Sequence, residues 1–118
     1  MSFRAWRRLH LGASGVLGAM ALLHSALTPA LYNGWGPDAA WFLGTGLGLL
    51  LLAIVNWTHL GLEPCRLPTA AVLRWANAGF LGFGGAAAIA VPEPPAYVIV
   101  AGLAAQALAS WRTLPGPD

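Results

Sequence analysis

The stretch that decides the fold is residues 39–62, AAWFLGTGLGLLLLAIVNWTHLGL, which carries no charge when its histidine is counted as neutral. Charged residues bound it on both sides, Asp38 before it and Glu63 after it. A helix that crosses a bilayer needs about 20 consecutive, mostly apolar residues. This stretch is longer than that, so it predicts a transmembrane helix.

Three more uncharged stretches lie on either side of it, at residues 9–37, 75–92 and 94–111. The last two are shorter and richer in Ala and Gly, but they still reach the length of about 17–25 residues that a span requires. Segments rich in Pro and Gly separate all four stretches. We therefore predict helices near residues 9–29, 39–60, 70–91 and 95–112.

The helix ends follow from the residue types in those separating segments. Pro29 and the turn residues 33–38 are expected to close the first helix and open the second. Asp38 and Thr69 are candidate N-caps of the second and third helices. Residues 92–95 form a tight, proline-rich third connection, and proline is tolerated in the first turn of the helix that follows.

The composition agrees with a membrane protein. Of 118 residues, 58% are hydrophobic and 8% are charged, whereas a soluble domain carries about 25% charged residues. The chain is short enough for one domain, which we predict to be a single all-α transmembrane domain, a four-helix bundle, over residues 1–118. The first segment resembles a signal peptide at its basic start, but its apolar stretch is too long and contains Pro29, so we expect it to be retained.

Arginine placement predicts the orientation. Three of the six arginines precede the first helix, two flank the second loop and one follows the fourth helix. Positive residues accumulate on the cytoplasmic side, so both termini are expected there. The six tryptophans then fall at the two membrane interfaces, where aromatic side chains prefer to lie. The arginines form no basic face, which argues against nucleic-acid binding.

The abundance of Ala, Gly and Arg with no Lys suggests a bacterial genome rich in GC. The predicted localisation is therefore the inner membrane, as a multi-pass protein. Its expected partners are the lipid bilayer and a membrane-protein partner or a second copy of the chain. Glycines recur within the first three helices, and small residues allow helices to approach closely in lipid. We expect Gly15 and Gly82 in particular to lie between helices.

Polar side chains within the predicted spans are the candidate site residues. They are costly in lipid and usually face the interior of a bundle. Helical periodicity places one set in the cytoplasmic half, on faces that share small residues, and a second set in the outer half. The inner set is His10, Ser14, Asn56, His59, Asn77 and Gln106, and the outer set is His24 and Thr28. Asn56, Asn77 and Gln106 are expected to converge, with His59 at the mouth of the cluster.

The inner set has two interpretations, a cluster of interhelical hydrogen bonds or a polar pocket for a lipid headgroup, a quinone or an ion. His10 and His59 lie at similar depth on neighbouring helices, so the geometry allows a haem with two histidine ligands. His59, Glu63 and Cys65 resemble a metal site but lack a fourth ligand. We predict no metal and no resident cofactor, with haem as the open alternative.

Features expected of an enzyme or a proton-coupled antiporter are missing from the sequence. No Asp or Glu lies inside a predicted span, and no paired carboxylates or Ser, His and Asp constellation appears. The sequence favours a non-enzymatic accessory or assembly component that acts through helix–helix contacts. Two alternatives stay open: a redox-linked protein that binds haem or quinone, and a small oligomeric transporter or channel.

Overall fold

The structure, a computed structural model, describes residues 1–61 and 67–114. These residues form four helices and contain no strand. The helices are α1 (Phe3–Leu31), α2 (Pro37–Gly61), α3 (Leu67–Ala90) and α4 (Pro94–Thr113). The expected element order is therefore confirmed, and each helix contains nearly all of the predicted span. Cys65 and Glu63, which were weighed as metal ligands with His59, lie outside the described residues.

Helix α1 is longer than the predicted span at both ends. Ser2 is its N-cap, and the Ser2 Oγ accepts a hydrogen bond from the Ala5 backbone N–H at 3.3 Å. At the other end Pro29 does not close the helix, which continues to Leu31. Proline removes one backbone donor, and in the final turns that loss is confined to a single hydrogen bond.

The predicted N-caps Asp38 and Thr69 are both wrong, because each helix begins earlier. Helix α2 begins at Pro37, which places Asp38 in the first turn. The positive end of the helix dipole stabilises a carboxylate there. Helix α3 begins at Leu67, so Thr69 lies inside it. Helix α4 begins at Pro94, one residue before the predicted start at Pro95, with Glu93 as N-cap residue and no side-chain cap.

Helix α1 is central to the packing. It lies against α2 on one side and α4 on the other, and α3 packs on α4. Helices α2 and α3 approach each other very little along their backbones. The main core consists of small and aliphatic side chains from α1, α2 and α4: Leu17, Ala21, Leu49, Leu52, Ala53 and Leu103.

Glycines mark the close approaches between helices. A Cβ atom at Gly46 would collide with the Ser25 hydroxyl and lie 3.2 Å from the Ala21 carbonyl oxygen, and one at Gly84 would lie 2.7 Å from Leu103 Cδ1. Gly15 is covered by the Trp57 ring, as expected. The expectation for Gly82 is wrong, because a Cβ there would meet no atom within 4 Å.

The outer surface of the bundle is strongly apolar. Trp41, Leu51, Val72 and Ile89 are among many large hydrophobic side chains that are exposed. Helices α1 and α2 are each long and apolar enough to cross a membrane. In each helix, just 28% of the apolar 18-residue stretch is buried inside the protein. A core helix of a soluble protein would be mostly buried, so this exposure needs an apolar environment or another protein surface.

Candidate functional site

The candidate site is a chain of buried polar side chains at one end of the bundle, which we call the polar network. It consists of six side chains, one to two from each helix: His10, Ser14, Asn56, Asn77, Gln106 and Thr113. Apart from Thr113, which is half-buried, each of them is at most 1% exposed. At this end, which we call the arginine end, lie the N-termini of α1 and α3 and the C-termini of α2 and α4.

Asn56 and Asn77 form the centre of the polar network. Their amide groups pair reciprocally, because each Nδ2 donates to the Oδ1 of the other at 2.9 Å. The second hydrogen of Asn56 Nδ2 is donated to the Leu52 carbonyl oxygen at 2.8 Å. This amide pair joins α2 to α3, which otherwise approach each other very little along their backbones. The sequence expectation that Asn56 and Asn77 come within side-chain reach agrees with this geometry.

Gln106 extends the network to α4 and α1. Its Nε2 donates to Asn77 Oδ1 at 3.0 Å, and its Oε1 accepts from the Ser14 hydroxyl at 2.7 Å. Ser14 and Gln106 are separated by 92 residues in sequence. The bond therefore holds the first helix directly to the last.

His10 closes the network on its other side. Its Nε2 lies 2.9 Å from Asn56 Oδ1 and its Nδ1 lies 2.7 Å from Thr113 Oγ1. An amide oxygen can only accept, so Nε2 carries a proton and donates it to Asn56 Oδ1. When the ring is neutral, Nδ1 accepts from the Thr113 hydroxyl. That hydroxyl also lies 2.9 Å from the Ala109 carbonyl oxygen, its alternative acceptor.

The sequence did not identify Thr113 as a site residue. The predicted fourth span ended at residue 112, whereas α4 extends one residue further. Thr113 is seven residues after Gln106, which corresponds to two helical turns and therefore to the same face. That periodicity was a signal that could have identified it.

Three predicted site residues lie outside the polar network. His59 is half-buried and bonds through Nδ1 to the Val55 carbonyl of its own helix at 2.9 Å. It follows Asn56 by three residues, so its side chain is turned about 60° away from the Asn56 direction. His24 stacks on Phe42 with ring centroids 3.5 Å apart, and the Thr28 hydroxyl makes a 3.4 Å contact with the His24 carbonyl.

A bis-histidine haem does not fit these residues. Both ring nitrogens of His10 are engaged by Thr113 and Asn56, so an iron bond would require breaking the network. The His59 ring is held against its own helix. Of two surface grooves on the bundle, one is lined in part by Ser14, and neither is lined by His10, Asn56, Asn77 or Gln106. Among the described residues no group of three or more His, Cys, Asp or Glu is placed to hold a metal ion.

Two arginines bind helix C-termini at the arginine end. Arg7 on α1 donates to the Leu60 carbonyl oxygen at 2.9 Å, and Arg74 on α3 donates to the Leu114 carbonyl oxygen. The last carbonyl groups of a helix lack intrahelical partners and carry partial negative charge. Each guanidinium therefore satisfies the end of the neighbouring antiparallel helix. The Arg74 side chain is 6% exposed and lies over the Trp111 ring at 5.1 Å.

Comparison of the chain with protein-family models, with curated proteins and with solved structures found no match.

Proposed function

We propose that the chain is a small integral membrane protein whose four helices all cross the bilayer, with both termini in the cytoplasm, and that it acts without catalysis as an accessory or assembly component. The observation that carries this proposal is the polar network. Its buried side chains bind one another across all four helices. Their hydrogen-bonding groups are engaged mainly with one another, which supports a role in holding the bundle together.

The outer surface supports the membrane location. Large apolar side chains cover it, and the two longest helices pass the length and hydropathy requirement for a span. Helices α3 and α4 are less apolar, but α3 is 24 and α4 20 residues long, about the length that crosses a hydrocarbon core. Asn77 and Gln106 lower their hydropathy, and both are buried in the bundle rather than facing outward.

The charges support the orientation. The arginine end holds Arg7, Arg74 and Arg112, and the opposite end holds Asp38 and Glu93. Arginines concentrate on the cytoplasmic side of membrane proteins. This distribution is consistent with cytoplasmic termini.

A labelling experiment tests the topology. Cys65→Ser removes the native thiol, and Asn33→Cys or Glu93→Cys then introduces a single thiol at the end opposite the arginines. A membrane-impermeant maleimide should label both variants in intact spheroplasts, and carbonate washing should leave the protein in the membrane. Labelling that requires lysis would reverse the orientation, and release by carbonate would exclude a four-span protein.

The assembly role is tested separately by native size. After solubilisation in a mild detergent, the 12.3 kDa chain should co-migrate with a membrane complex several times its mass. Deleting the gene should lower the amount of that complex. A chain that migrates as a monomer, with no complex lost on deletion, would contradict the assembly role while leaving the membrane topology intact.

A further inference from the structure

A groove runs along the surface between α1 and α2, with a volume of about 310 Å³. Its lining is almost entirely apolar and includes several small residues. The α1 wall includes Gly15, Gly18, Ala19 and Leu22, and Trp57 of α2 covers one end. Because Trp57 is about half exposed, its ring forms an edge of the groove that faces the surroundings.

The α1 wall leads directly to two arginines. At 100° per residue, Arg8 and Arg4 lie within about 20° of the direction of Gly15, so all three share one face of α1. Both arginines are exposed. From Arg8 to Leu22 the helix rises about 21 Å, comparable to the half-thickness of a bilayer, which is about 20 Å with its headgroup region. A cationic head and an apolar channel are therefore aligned along one helix face.

We infer that this groove binds one acyl chain of an anionic phospholipid, whose phosphate is held by Arg8 and Arg4. The inference rests on the proposed membrane location. Arginine binds phosphate through two parallel hydrogen bonds, and juxtamembrane arginines attract anionic headgroups. The acyl chain lies along Gly18, Ala19 and Leu22, beyond the Trp57 ring that covers Gly15.

The size of the groove favours a lipid chain over a partner helix. A helix about 10 Å wide and about 21 Å long has a volume on the order of 1,600 Å³. The volume of the groove, about 310 Å³, is a small fraction of the volume of such a helix. The positive charge at its end also selects a ligand with a negative head rather than a neutral one.

Native mass spectrometry of the full chain in detergent provides the test. Phosphatidylglycerol and phosphatidylcholine with identical acyl chains are titrated, and the retained lipid is counted. Two arginines at the headgroup predict a preference for phosphatidylglycerol of at least about tenfold. Arg8→Gln should reduce that preference about fivefold, whereas the matched control Arg112→Gln, at the same end but beside Trp6, should retain it.

A second variant tests the acyl chain. Ala19 is exposed on the groove wall, so Ala19→Phe should fill the groove and abolish retention of phosphatidylglycerol. Ala86→Phe, at an exposed position on α3, is the control and should retain the lipid. Unfolding midpoints of all variants are measured alongside, and if Ala19→Phe does not fold, the Arg8→Gln result decides.

Equal retention of the two lipids, an equal loss of preference in Arg8→Gln and Arg112→Gln, or full retention by a folded Ala19→Phe variant would each overturn the inference. These outcomes are distinct from failure of the proposed function. A protein that stays in carbonate-washed membranes but shows no lipid preference contradicts the lipid site alone. A protein released by carbonate contradicts the membrane location on which the site depends.

Discussion

The two ends of the bundle hold their helices together in different ways. At the arginine end, side-chain hydrogen bonds pass from α1 to α2, α3 and α4 through buried groups. At the opposite end, the Thr28 hydroxyl reaches a carbonyl of its own helix and the Ser25 hydroxyl is buried without a partner among the described residues. There the contacts are close packing at Gly46 and stacking of His24 on Phe42.

This difference shows that depth and polarity alone do not make a cluster. His24 and Thr28 are polar and lie on the inward face of α1, like His10 and Ser14. Their side chains make no side-chain hydrogen bond to another helix: Thr28 bonds to the His24 carbonyl, and the His24 ring stacks on Phe42. Polar side chains join helices where several helices contribute them at one depth, which happens at the arginine end alone among the described residues.

The largest expected effect is loss of the central amide pair. Asn56→Leu removes the acceptor of the His10 Nε2–H and of the Asn77 Nδ2–H and leaves both donors buried without it. We expect a loss of about 2–3 kcal/mol in the free energy of unfolding. Leaving a buried group unsatisfied costs about 1–3 kcal/mol, and an interhelical hydrogen bond within a membrane contributes about 0.6–2 kcal/mol. Unfolding in mixed micelles with increasing dodecyl sulfate measures it.

The matched control is Thr58→Val on the same helix. The Thr58 hydroxyl is exposed and bonds to carbonyl groups of its own helix. Its replacement should change stability by less than about 0.5 kcal/mol. Equal losses in the two variants would mean that the buried amides contribute no more than surface hydroxyls.

A smaller effect is expected from close packing at the opposite end. Gly46→Ala introduces a methyl group against the Ser25 hydroxyl and the Ala21 carbonyl oxygen. Overpacking costs about 1–3 kcal/mol, whereas replacing glycine by alanine stabilises a helix by up to about 1 kcal/mol. We therefore expect the free energy of unfolding to fall by about 1 kcal/mol. Thermal unfolding in detergent measures it.

Gly82→Ala is the control for that comparison. A methyl group at Gly82 meets open space, so this variant should match or slightly exceed the wild type in stability. Destabilisation by Gly82→Ala comparable to that by Gly46→Ala would indicate that the outer face of α3 is covered in the measured protein, for instance by a second copy.

The smallest effect is expected at His24. Because its ring stacks on Phe42, His24→Phe preserves the stacking and should shift the free energy of unfolding by less than about 0.5 kcal/mol. The equivalent change His10→Phe should cost about 1–3 kcal/mol, because it removes the hydrogen bonds that His10 makes with Asn56 and Thr113. Similar losses in both would contradict the proposed difference between the two ends.

Much of the fold and the network could be predicted from the sequence. Uncharged stretches predicted the four helices. The cost of exposing amide side chains to an apolar environment predicted that Asn56, Asn77 and Gln106 converge. Periodicity does separate the glycines of α3, because Gly84 follows Asn77 by seven residues and shares its inward face, whereas Gly82 lies about 140° away from Asn77. His59 could not be excluded, because a rotation of about 60° relative to Asn56 decides whether it enters the network.

The most direct test of the central claim is a double-mutant cycle on the amide pair. Asn56→Leu, Asn77→Leu and the double variant are unfolded under the same micelle conditions, and the free energies of unfolding are compared. If the two amides pair across α2 and α3, the double variant should lose at least about 1 kcal/mol less than the sum of the single losses. Losses that add to within about 0.5 kcal/mol would show that Asn56 and Asn77 act independently, and would contradict a network that joins the four helices.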